Sequence, residues 1–100
     1  MGSRNDARIP FPVNGGTQSA SFTATSAAIS NAMGAQTSRV TLYATEDCYV
    51  HFAKTPTAVT TDFFLPASTQ VMLAIRPGQK VAAIRATATD GKLYVSELTY

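Results

Sequence analysis

One cysteine and one histidine stand in this chain, Cys48 and His51, three positions apart in the stretch EDCYVHFAK. A thiol beside an imidazole is the raw material of an activated nucleophile or of half a zinc site. Which of these is open depends on how the backbone presents the pair. In CYVHFAK the types alternate, with Cys48, Val50 and Phe52 in one phase and Tyr49, His51 and Ala53 in the other. A strand with that period sends successive side chains to opposite faces, so residues three apart diverge. Cys48 is therefore expected in the core and His51 at the surface. A reactive cysteine needs a partly exposed, electropositive setting, whereas one in phase with valine and phenylalanine behaves as a small buried hydrophobe.

Other chemistry finds no better footing. Zinc needs three or four ligands at close spacing, and the remaining candidates are scattered acids: Asp6, Glu46, Asp47, Asp62, Asp90 and Glu97. Glu46 and Asp47 are adjacent in a turn, whereas a two-carboxylate mechanism needs the groups to face each other across a substrate. NGG and MGAQTS lack the lysine and the strand–helix context of a phosphate loop, and no G-x-S-x-G elbow occurs. The expectation is a protein that is not an enzyme, with no catalytic, cofactor-binding or metal-binding residue and no cofactor.

The elements that carry these residues are strands. RVTLYAT places Val40, Leu42 and Ala44 on one face, and QVMLAIR does the same with Val71, Leu73 and Ile75; this is the period of a half-buried strand. Glu46-Asp47 makes a tight connection, and TPTAVTTD a loop opened by Pro56. RPGQK predicts a type II turn with Pro77 and Gly78 at its centre. TDGK predicts a hairpin turn in the primed geometry that Asp-Gly favours. VAAIRATA and LYVSELTY complete the set. QSASFTATSAAISNAMGAQT is ambiguous between strand with loop and a short helix ended by Gly34; strand and loop is favoured. At least five short strands joined by turns indicate an antiparallel sandwich or barrel. The inward set is Val40, Leu42, Val50, Phe52, Leu65, Val71, Leu73, Ile75, Val81, Leu93 and Val95.

Residues 1–17 are expected to form an extended N-terminal arm ahead of a β domain over 18–100. Its IPFPV segment holds two prolines that favour an extended path. Ile9, Phe11 and Val13 alternate as anchors suited to a sheet edge or groove on a neighbouring subunit.

Composition bounds the rest. One hundred residues make one small domain. A single cysteine excludes an internal disulfide framework, so stability must come from packing or association. The net charge is +2, with Lys and Arg dispersed; no basic stripe for nucleic acid is apparent. No stretch approaches a membrane span. No signal h-region is visible, and Asp6 breaks the myristoylation pattern, so a cytosolic origin is expected. The aromatic set Tyr43, Tyr49, Phe63, Phe64, Tyr94 and Tyr100 exceeds what one small core layer holds, and exposed tyrosine suits contact surfaces.

The motifs VTLYATEDCYVHF, PTA, FLPAST, RPGQKVAAIRA and DGKLYVSEL, spread over residues 39–98, together resemble a group of small head-associated structural proteins of tailed bacteriophages and prophages. That resemblance implies a jelly-roll-like β-sandwich on the virion, assembled in the host cytoplasm. It would serve as a capsid decoration or cement protein that binds major capsid protein subunits as a dimer or trimer. It brings no catalytic residue. On this reading Arg4, Arg8, Ile9, Phe11 and Val13 contact the capsid. Alternatives are a head–tail connector, a tail or fibre component, or a carbohydrate-binding sandwich using exposed tyrosines.

Overall fold

A computed structural model describes residues 11–99 of the chain. Eight strands follow in order: β1 (Phe11–Phe22), β2 (Ala27–Ala28), β3 (Arg39–Ala44), β4 (Cys48–Ala53), β5 (Phe63–Leu65), β6 (Gln70–Ala74), β7 (Lys80–Arg85) and β8 (Gly91–Thr99). They form two antiparallel four-stranded sheets, one ordered β1-β8-β3-β6 and the other β2-β7-β4-β5. The fold is an all-β sandwich, and no helix occurs among the described residues. The stretch that was ambiguous between helix and strand contains the end of β1, the two-residue β2 and irregular backbone.

The core lies between the sheets and follows the alternation. Val40, Leu42 and Ala44 of β3, Cys48 and Val50 of β4, Leu65 of β5, Val81 and Ala83 of β7, and Leu93 and Val95 of β8 are buried in one cluster. Phe52, Val71 and Leu73 pack against it while partly open. All eleven expected inward residues are thus in the core or against it. Phe22, Ile29 and Met33, from the weakly patterned first half, complete the cluster.

Two turn expectations need correction. The Asp90-Gly91 turn does not make a hairpin: β7 lies in one sheet and β8 in the other. Gly91 is also absent from the positive-φ glycines, which among the described residues are Gly15 and Gly78. Glycine is required there for space, because a Cβ would stand 2.7 Å from Phe22 Cζ and 2.9 Å from Glu46 Cβ. Likewise β3 and β4, joined by the tight Glu46-Asp47 connection, belong to opposite sheets. Their Glu46-Asp47 link is an arch, braced where Asp47 Oδ1 accepts the Ala67 N–H at 2.7 Å and Ser68 N–H donates to the Ala44 carbonyl at 2.8 Å. A local turn motif specifies reversal; whether the chain then pairs or crosses depends on where the next apolar face is buried. The Pro77-Gly78 turn stands as expected, with Gly78 at φ +86° and the Gln79 N–H bonded to the Arg76 carbonyl at 3.2 Å.

β1 runs across residue 17, the boundary expected between arm and domain. Its Thr17–Phe22 half pairs regularly with β8, and a bulge between Pro12 and Thr17 shifts the register before Phe11 meets Thr99. Arg4, Arg8 and Ile9 lie outside the described residues.

Candidate functional site

β4 settles the disposition of the two groups with chemistry. Cys48 is wholly buried in the core cluster. Burial, with a smaller push from the Asp47 charge, raises its thiol to about 12, so the nucleophilic thiolate is suppressed at neutral pH. His51 stands on the opposite phase of the strand and is half-exposed. The expected divergence of sulfur and imidazole holds.

His51 nevertheless has a partner that sequence reasoning missed. Its Nδ1 lies 3.1 Å from Asp62 Oδ1. The cause is register: β4 and β5 pair Cys48 with Leu65, Tyr49 with Phe64 and Val50 with Phe63, and one further step sets His51 opposite Asp62. Cross-strand neighbours at that separation touch. Asp62 Oδ2 also accepts the Val59 N–H at 2.8 Å. That backbone bond first, and the His51 bond second, hold the Asp62 carboxyl below its usual value. The signal available in the sequence was the hairpin CYVH…DFFL, hidden by a loop too long to suggest its own register.

The pair borders a cleft of about 330 Å³ between the β5 edge of one sheet and the β6 edge of the other, lined by Val50, His51, Phe52, Asp62, Phe63, Leu73 and Ala74. None of these side chains carries a hydroxyl or thiol, so His51 has no nucleophile to activate within the cleft. The Asp62 carboxylate fastens the 54–62 loop to β4. No group of three or more His, Cys, Asp or Glu side chains able to hold a metal occurs among the described residues.

The outer surfaces carry the remaining features. On the sheet containing β3 and β8, Tyr43 pairs directly with Tyr94, flanked by Ser19 on β1 and Gln70 on β6. The next row is Thr17, Ser96, Thr41 and Met72. Tyr43 and Tyr94 are 38% and 39% exposed, which makes them a shallow platform rather than core. On the other sheet, Tyr49 and Phe64 meet with ring centroids 5.6 Å apart, and Phe63 and Phe64 are both exposed. Of the expected capsid-contact residues, Val13 is half-buried on β1 and Phe11 begins that strand, its backbone paired with Thr99. No helix among the described residues is long and apolar enough to cross a membrane. Comparison with known protein families, characterised proteins and solved structures finds no match.

Proposed function

We propose that the chain is a virion structural protein of a tailed phage, a capsid decoration or cement protein that binds major capsid protein subunits and stabilises the head. The observation that carries this reading is the winding. β1 pairs with β8, β2 with β7, β3 with β6 and β4 with β5, so the chain follows a long hairpin rolled into two sheets. That pairing supports a jelly-roll reading, an architecture frequent in viral capsid and lectin domains. The resemblance of residues 39–98 to phage head proteins points the same way. Fold alone does not assign function; the argument also uses where side chains are spent. The thiol is buried, the imidazole is engaged by a carboxylate, and exposed aromatics occupy the sheet faces. Work done by such a molecule is contact.

On a shell, repetition multiplies weak contacts through effective concentration, and binding to the folded form alone stabilises a small domain by mass action. Residues 1–10, with Arg4, Arg8 and Ile9, would reach the capsid from the start of β1. Incubating the purified protein with shells that lack it tests the reading: saturable binding over the whole shell and higher heat resistance are expected. Binding in a single ring at the portal vertex would identify a connector instead, and no binding would remove the reading.

A further inference from the structure

From Ile9 to Ser38 the chain contains no charged residue, although Lys, Arg, Asp and Glu recur throughout the rest. The fold collects that neutral segment on one side of the sandwich. β1 is an edge of one sheet and β2 the edge of the other, and the loop after β2 lies beside them. Gln18 on β1 spans the gap between sheets there: its amide donates to the Asn31 carbonyl at 3.0 Å and accepts the Asn31 N–H at 2.9 Å. What stays open is backbone. Among the described residues no strand pairs with the far side of β1, and no loop backbone bonds to it.

An open edge strand is a template for another chain, and proteins blunt such edges with short strands, bulges, prolines and charges, lysine above all. Here β2 and β5 are short, and Pro12 with the adjoining bulge blunts the first part of β1. The regular stretch Thr17–Phe22 has none of these devices. Two copies of a chain with net charge +2 repel on close approach, and β1 carries no charge of its own, Lys92 lying one strand in, opposite Ser21 on β8, so copies meet along β1 with less of that penalty.

We propose that two copies of this chain pair antiparallel along β1, Thr17–Ser21 against Thr17–Ser21, about a two-fold axis at Ser19. The two sheets then continue into one of eight strands, β6-β3-β8-β1 followed by β1-β8-β3-β6. An isologous contact of this kind closes at two and satisfies the far-side amides of both strands. It needs no shell, so its failure is distinct from failure to bind a capsid.

Ser19 is exposed near the centre of the pairing stretch and meets the same region of its copy across the axis. A charge of either sign there faces itself. The test is sedimentation velocity over a concentration series for the wild type, Ser19→Lys, Ser19→Glu and an equimolar mixture of the two variants, with thermal unfolding confirming that each folds. The wild type is expected to form dimers. Each variant alone is expected to raise the dissociation midpoint at least about tenfold, because like charges are juxtaposed, and the mixture to restore association. A monomeric wild type, a closed trimer, or loss with one sign of charge only would overturn the β1 dimer.

Discussion

At the scale of single residues, Cys48 and Asp62 show how position decides chemistry. The Cys48 thiol is enclosed by the core and raised to about 12. In the native protein at mildly alkaline pH it should therefore resist a disulfide reagent, and react at once in denaturant. Rapid modification of the folded protein would contradict the burial. Asp62 works in the opposite sense. Its carboxyl is held below 3.8 by the Val59 N–H and then by His51, and a depressed folded-state pKa contributes stability that is present above the unfolded value and lost as pH falls through the folded one. Asp62→Asn should therefore flatten the acid limb of the stability curve below pH 3.8. Denaturant midpoints measured on both sides of that pH would show it; identical acid limbs in wild type and variant would sink the assignment.

At the scale of elements, glycines at turns separate two causes that the sequence alone does not distinguish. Gly78 sits at φ +86° with no atom within 4 Å of a would-be Cβ, so Gly78→Ala should cost about 1 kcal/mol, the strain of the left-handed region. Gly91 is crowded by the wholly buried Phe22, with a Cβ placed 2.7 Å from its ring. Gly91→Ala should cost more than that, up to roughly 3 kcal/mol, the upper end of the range for overpacking a filled core; equal melting shifts for the two variants would contradict this contrast. The inward set from Val40 to Val95 was legible because period-2 alternation is a direct imprint of a one-sided strand. The crossings after Ala44 and Arg85 were not, since Asp-Gly and Glu-Asp encode reversal in a few residues while sheet membership is decided by long-range packing. The first half was illegible for a related reason: Phe22, Ile29 and Met33 are isolated among Ala, Ser and Thr, so their burial leaves no periodic trace. The His51–Asp62 contact needed a register that only the folded hairpin supplies.

At the scale of the whole molecule, the rolled-up pairing explains why the first strand and the last are neighbours, with β8 held between β1 and β3. Deleting residues 1–16 leaves the regular Thr17–Phe22 pairing with β8 intact. The truncated chain should unfold in one cooperative transition, yet bind shells more weakly because Arg4, Arg8, Ile9, Phe11 and Val13 are gone. A truncated chain without β structure by circular dichroism would show that the domain cannot fold without the segment before Thr17. The measurement that bears most directly on the proposed role is quantitative binding of the intact protein to isolated heads stripped of it, imaged by cryo-electron microscopy. Density for an eight-stranded sandwich repeated across the shell and seated on major capsid subunits is the predicted result. Bare shells in the presence of excess folded protein would contradict it.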